Sequence, residues 1–362
     1  MAYADDIVLI INNQDELDIV NEHLKNYEKA SGAKLNQHKT EAVWFGNPNN
    51  KVPLAIKDQA KTTILGLEFS HTCSYNDNWS AKEREVIEEL SKWENKNTTY
   101  KLRILIIKTF VLSKLMFLTN IFPPQAHTIK RLNKLLVNFI WGTTREVAKR
   151  ELLFKSRKGG GLGAMDVPLK LLITFCKTIA AGVQRNAVWV GHRSRWEKKK
   201  GRARNNIPYY VLAYSDFRAK HGHLPINWVA DSNKKIYKII SNDLYGGYVL
   251  YKGLQAEHYG TCVRNIFTRD MAESKRDIMW LVSVGRLAVR AVVKWSCFVK
   301  TKCCPVDGCQ QDETIDHLLL ECPRARDVWA RIKDIGLDVE VNRNTVMFGI
   351  FVVEDQMYAG LA

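Results

Sequence analysis

Two groups of residues in this 362-residue chain have the types and spacing that chemistry requires. Near the start, Tyr3-Ala4-Asp5-Asp6 runs into the apolar stretch Ile7-Val8-Leu9-Ile10-Ile11. Two adjacent carboxylates beside a buried strand repel each other and lose hydration unless a cation neutralises them. A divalent metal does this while both acids stay ionised, and Mg²⁺ held at a strand end also binds substrate phosphates. An ordinary Asp-Asp turn accounts for the same four residues, so the pair alone leaves both readings open. Near the end, Cys304, Cys309, His317 and Cys322 follow the pattern Cys-x4-Cys-x7-His-x4-Cys. Pro305 and Gly308 favour a tight turn that lets two thiolates converge, while His317 opens a short helical segment that Cys322 closes. Three thiolates and one imidazole form a closed tetrahedral zinc shell, which is structural rather than catalytic. Cys303 is an alternative first ligand, and free buried thiols beside a surface histidine are the competing reading.

The elements that must position these groups are readable from periodicity. Ile7–Ile11 predicts a strand, and Leu17, Val20, Leu24 and Tyr27 predict a helix that ends at Gly32. Strands are expected at Glu41–Phe45 and Ile64–Phe69. From residue 79 the period becomes helical. Ser80-Ala81-Lys82-Glu83 reads as a capping box, and further helices are expected over Leu102–Leu118, Ile129–Trp141 and Leu169–Val183. Gly159-Gly160-Gly161-Leu162-Gly163 reads as a turn, because it lacks the Lys-Ser/Thr of a phosphate loop. His221 and His223 have no accompanying acid pattern and read as loop histidines. Residues 205–265 are rich in aromatics and carry no motif.

Charge is distributed unevenly. The net +16 resolves into −5 over residues 1–100, +26 over 101–300 and −5 over 301–362. A basic middle between acidic ends points to a polyanion, with a solvated basic surface as the plainer alternative. Lys130, Arg131 and Lys134 lie on the outer face of a predicted helix. Arg193, Arg195, Lys198, Lys199, Lys200, Arg202 and Arg204 form the densest run, with Trp189 and Trp196 nearby as stacking surfaces for bases. Leu102–Pro124, the longest apolar stretch, is interrupted by Arg103, Lys108 and Lys114, so no membrane span is expected. With no secretory signal and with clustered thiols, an intracellular protein of the cytoplasm or nucleus is expected.

Taken in order, Tyr3-Ala4-Asp5-Asp6-Ile7-Val8-Leu9-Ile10, then Ser31-Gly32-Ala33-Lys34-Leu35-Asn36-Gln37-His38-Lys39-Thr40, then Leu65-Gly66-Leu67-Glu68-Phe69 resemble the second half of a reverse-transcriptase palm from a non-LTR (LINE-type) retrotransposon. Phe139-Ile140-Trp141-Gly142, Lys149-Arg150-Glu151-Leu152 and Gly160-Gly161-Leu162-Gly163 resemble the segments that follow the thumb. Trp280, Gly285-Arg286-Leu287, Trp295, the cysteine–histidine cluster and Val328-Trp329 resemble the zinc knuckle beyond it.

The resemblance implies that Asp5 and Asp6 are catalytic, with Asp5 a Mg²⁺ ligand, that Lys39 lies near the leaving pyrophosphate, and that Leu65 and Gly66 belong to the primer grip. It implies an RNA template and a DNA primer or target as partners. The implied fold is α+β: a partial palm of few strands plus a helix over 1–75, a helical thumb over 76–150, and a basic connector over 151–276. A helix and zinc knuckle follow over 277–330, with a tail over 331–362. Such polymerases need a further aspartate upstream of the Tyr-x-Asp-Asp box. The chain starts two residues before Tyr3, so it is expected to bind nucleic acid without polymerase activity of its own. A domesticated binding protein without catalysis, or a relic of the element, are the alternatives.

Overall fold

The computed structural model describes residues 2–3, 6–45, 57–70, 75–185, 187, 209–249, 251, 253–268, 271–293, 299, 301–336 and 340–350. The chain divides into two compact units, Met1–Ile87 and Glu88–Ala362, and is α+β with helix predominant.

In the first unit, β1 (Ala2–Tyr3) pairs antiparallel with β2 (Asp6–Ile7), so that Tyr3 faces Asp6 across the ladder. α1 (Gln14–Ser31) starts at Asn13, whose side chain accepts the Glu16 N–H at 2.8 Å, while the Glu16 carboxylate accepts the Asn12 N–H at 2.8 Å. These reciprocal bonds satisfy donors that a helix start leaves open. β3 (Glu41–Ala42) runs parallel to β4 (Lys57–Asp58), and β5 (Lys61–Ile64) forms a hairpin with β6 (Leu67–Ser70). The following helix α2 (Tyr75–Glu94) supplies Tyr75, Trp79 and Val86 to a small core with Leu67. Its Asn78 amide accepts the Glu68 N–H at 2.9 Å and donates to the Glu68 carbonyl at 2.7 Å, occupying backbone groups of β6.

Three local expectations change here. Of the apolar run Ile7–Ile11 only Ile7 is strand, and Ile10 is 89% exposed. A strand exists only where a partner offers backbone groups, and β1 offers two residues. Ser80 lies inside α2 rather than at its cap, because Tyr75 and Trp79 continue the buried stripe toward the N-terminus. Leu65 and Gly66 are not within a strand but form the two-residue turn between β5 and β6, with φ of 51° and 76°. This left-handed pair suits a hairpin, yet a leucine there costs about 1–2 kcal/mol that asparagine largely avoids. Leu65→Asn is therefore expected to stabilise the first unit by about 1 kcal/mol, read as a higher urea midpoint. An unchanged or lower midpoint would sink the claim.

The second unit is helical. α3 (Tyr100–Ile106), a π-helical turn (Ile107–Val111) and α4 (Leu112–Ile121) run on continuously, followed by α5 (Ala126–Trp141) after Pro123-Pro124. The Arg103 guanidinium donates to the Phe139 carbonyl at 3.1 Å, placing a cation at the C-terminal end of α5. α6 (Arg150–Phe154) leads through the glycine-rich turn to α7 (Val167–Gln184). α7 is apolar on most of its circumference, as a central helix must be. It forms a core with α8 (Tyr209–Lys220) and α9 (Asn233–Tyr245) that contains Phe175, Ile179, Phe217, Trp228 and Ile236. Against α4 it makes a Thr178–Asn120 side-chain bond of 2.8 Å.

The remaining helices are α10 (Tyr259–Ile266), α11 (Glu273–Ser283), α12 (Arg290–Val293), α13 (Pro323–Asp334) and α14 (Arg343–Phe348). Two helices, Tyr100–Ile121 and Val167–Gln184, are long and apolar enough to cross a membrane by length and composition, where the sequence reading expected none. Two of the charges that interrupt the first are engaged within the fold, Arg103 on α5 and Lys114 on Glu89 at 3.2 Å, while Lys108 is exposed.

The turn reading of Gly159–Gly163 holds, with a packing reason. Trp280 of α11 is fully buried and its indole N–H donates to the Gly160 carbonyl at 2.8 Å. Trp280 stacks on Trp141 with centroids 6.1 Å apart, and Tyr100 meets Trp141 edge-on at 5.3 Å. A Cβ on Gly161 would lie 2.2 Å from the Lys155 carbonyl oxygen, so only glycine lets the turn close beneath this aromatic stack.

Candidate metal centre

The knuckle begins with a short antiparallel bridge between Cys303 and Asp312. Around it the Cys304 N–H donates to Gln311 and the Glu313 N–H to Lys302, each at 2.8 Å. Gly308, at φ 77°, allows the tight turn that returns Cys309 toward Cys304. His317 opens a π-helical turn (His317–Glu321) whose first N–H is capped by the Thr314 hydroxyl at 3.0 Å. The wider π turn ends at Cys322, whose N–H donates to the His317 carbonyl at 2.8 Å, and Pro323 then starts α13. Each ligand thus sits where an element begins or ends, on backbone fixed by local hydrogen bonds.

The four donor atoms of Cys304, Cys309, His317 and Cys322 lie within 4.8 Å of one another. Cys304 Sγ and Cys322 Sγ are 3.8 Å apart, and Cys309 Sγ is 3.4 Å from His317 Nε2. A zinc tetrahedron with bonds of about 2.3 Å to sulfur and about 2.0 Å to nitrogen has edges of about 3.8 Å and about 3.5 Å. The residues therefore fit a zinc ion. His317 is buried, and its Nδ1 has no hydrogen-bond partner among the described residues. Nε2, which faces Cys309, is the nitrogen placed to bind the ion.

The thiols are inequivalent. Burial pushes the Cys304 thiol up. Burial acts the same way on Cys322, but the Arg324 N–H, the Cys304 thiol and the Ala325 N–H outweigh it and pull that thiol down. The start of α13 thereby favours a thiolate at the fourth position. Cys303, the alternative first ligand, is exposed and outside the cluster, which assigns the position to Cys304.

Residues that the spacing did not reveal hold the module in place. Arg290 of α12 contacts Glu313 at 3.3 Å and donates to the Cys303 carbonyl at 3.1 Å. Arg343 of α14 contacts Asp316 at 2.6 Å, and the Trp329 indole donates to the Leu319 carbonyl at 2.7 Å. With Lys302 at 4.0 Å from Asp312, three of the acids around the knuckle face cations. α13 carries Arg324, Arg326, Arg331 and Lys333, all exposed. The Thr-x2-His spacing was the one local signal for any of this support.

The other predicted site residues do not converge in this way among the described residues. Asp5 and the whole run Arg193, Arg195, Lys198, Lys199, Lys200, Arg202 and Arg204 lie outside them. Asp6 is in β2, and Lys39 is exposed in a turn after α1, where its N–H donates to the Asn36 carbonyl at 3.1 Å. Leu65 and Gly66 form the β5–β6 turn, and Lys130, Arg131 and Lys134 are exposed on α5.

A family model described as zinc-binding in reverse transcriptase matches residues 249–329, a span that includes all four ligands. The chain is also 26% identical over 148 residues to a Xenopus laevis protein described as a transposon TX1 uncharacterized 149 kDa protein. That alignment covers 39% of this chain and 11% of the relative, so the chain spans about a tenth of that protein's length. Geometry and comparison meet on the same residues: the chain resembles the C-terminal region of a non-LTR retrotransposon reverse transcriptase, and the match to the zinc-binding family model over residues 249–329 contains the whole Cys₃His cluster.

Proposed function

We propose that this chain is the part of a retroelement RNA-directed DNA polymerase that holds nucleic acid, a basic helical unit braced by a structural zinc ion. The observation that carries the reading is the closed Cys₃His cluster, set within the matched span and tied to α12 and α14 by Arg290 and Arg343. A closed shell leaves no position for substrate, so the zinc orders backbone and presents the exposed cations of α13. Two-metal nucleotidyl transfer, with Mg²⁺ at Asp5 and Asp6 and Lys39 toward the pyrophosphate, belongs on this reading to the intact polymerase. The partners are its RNA template and DNA primer or target. Free thiolates on zinc suit a reducing compartment, the cytoplasm or nucleus.

The test is salt dependence. A protein that neutralises six or more phosphates loses about 10³-fold in affinity between about 50 and about 200 mM salt. The full chain is expected to show this on a primer–template duplex. Replacing Lys130, Arg131 and Lys134 together by alanine is expected to lower the log–log slope by about 2–3. Absent or salt-insensitive binding would refute the reading.

A further inference from the structure

The aromatic-rich residues that follow the basic run carry no motif, yet they build a cavity. It measures about 430 Å³, within the roughly 300–1,000 Å³ range of small-ligand sites, and opens between the end of α7, the last turns of α8 and the loop at Ile226–Val229. Its walls are largely apolar, with Trp228 as a buried side. Arg218 lies across it, its guanidinium carbon 5.7 Å from the Tyr214 ring and 5.7 Å from the Trp228 ring. One guanidinium N–H donates to the Tyr214 hydroxyl at 2.9 Å, which ties the group to the wall of the cleft. Arg218 is nevertheless exposed. Gln184 at the rim makes no side-chain hydrogen bond among the described residues.

We propose that this cleft takes an unpaired base of a single-stranded nucleic acid, stacked on the Arg218–Trp228 platform. This rests on the nucleic-acid-holding function above and locates a site for it. A guanidinium held beside two aromatic rings offers a π-face that stacks any base, while its charge serves the adjoining phosphate. The surroundings carry the matching sign. Arg185 follows α7 and Lys220 ends α8. Asp231, the acid beside the loop, is occupied by Lys235 at 2.5 Å and by the Asn227 N–H at 2.9 Å.

The test compares the full chain and its Arg218→Lys variant by fluorescence anisotropy. The probes are a labelled oligo(U) 12-mer, the oligo(dT) equivalent, the same strands with abasic centres, and a duplex. The wild type is expected to bind base-bearing strands about tenfold tighter than abasic ones, equivalent to about 1.4 kcal/mol. Lysine keeps the charge but loses the plane, so Arg218→Lys should bring that ratio near one and leave duplex binding and the salt slope unchanged. A single 4-thiouridine in the oligo(U) strand should crosslink within residues 214–229. Equal wild-type affinity for base-bearing and abasic strands, or crosslinks confined to other segments, would overturn the base site while leaving duplex binding intact. Failure to bind any strand or duplex would overturn it together with the underlying function. An Arg218→Lys variant that retains the full base preference would show that the cleft takes something else, such as an aromatic side chain of a protein partner.

Discussion

Stripping zinc with a chelator is expected to unfold residues 303–322 and to release one metal ion per chain. Apart from surface ion pairs and a few backbone bonds, zinc ligation is what would hold this segment. Its backbone forms one isolated bridge, one turn and one π-helical turn, and its enclosed polar groups are the ligands themselves. For such modules the metal supplies on the order of 10 kcal/mol, far more than a surface salt bridge of about 0–1 kcal/mol. Arg290–Glu313 and Arg343–Asp316 therefore orient a folded knuckle and do not replace its zinc. Cys309→Ser should abolish stoichiometric zinc, while Cys303→Ser, which alters an exposed thiol outside the cluster, should leave it unchanged. Metal analysis of the purified proteins decides between them. Zinc retained by Cys309→Ser would remove the assignment.

Trp280→Ala should be the most damaging single substitution in the helical unit. The change leaves a hole beneath Trp141 and Tyr100 and removes the shorter of two donors to the Gly160 carbonyl, leaving the Tyr251 hydroxyl at 3.5 Å. Truncating a buried tryptophan costs about 3–5 kcal/mol, and losing the indole hydrogen bond adds about 0.5–1.5 kcal/mol. Domains are stable by only about 5–15 kcal/mol, so this variant approaches global unfolding. Trp280→Phe keeps most of the ring and loses the bond, and should cost well under half as much. Denaturant unfolding of the three proteins measures both differences. Equal stability of Trp280→Ala and wild type would mean that the stack is not a core.

The zinc ligands were legible because metal chemistry restricts residue type, and chain geometry restricts spacing within a short segment. What spacing could not separate was Cys303 from Cys304, since adjacent residues satisfy the same count. The bridge to Asp312 decides it by turning one side chain out and the other in. The helices of the second unit were legible where one apolar face recurs, as in α5, or where an apolar run is long enough for a central helix, as in α7. The start of α2 was misread because Ser80-x-x-Glu83 mimics a cap, while the packing of Tyr75 and Trp79 was invisible locally.

Strands fared worst. Ile7–Ile11 has the composition of a strand, but partners define strands, and only Ile7 of the run lies in a ladder. A left-handed leucine at position 65 contradicts local preference, so a run that reads as one strand is a hairpin. Residues 205–265 lacked any signal because their role is non-local: α8 and α9 close over α7, and Arg218 meets Trp228 across a loop. For the charge run at 193–204 the sequence remains the source of the reading.

The stack of Tyr100, Trp141 and Trp280 on Gly160 also sets an order of events during synthesis. The indole bond to Gly160 spans 120 positions, and the Asp277 carboxylate that accepts the Tyr100 N–H lies 177 positions further along the chain. At about 5–20 residues per second, the ribosome takes on the order of ten seconds to add the segment between Gly160 and Trp280. During that interval α3, α4 and α5 have been made, and the Tyr100–Trp141 face stays without the tryptophan that stacks on it. The nascent helical unit is thus a substrate for chaperones until α11 arrives, and its yield in cells should depend on chaperone capacity.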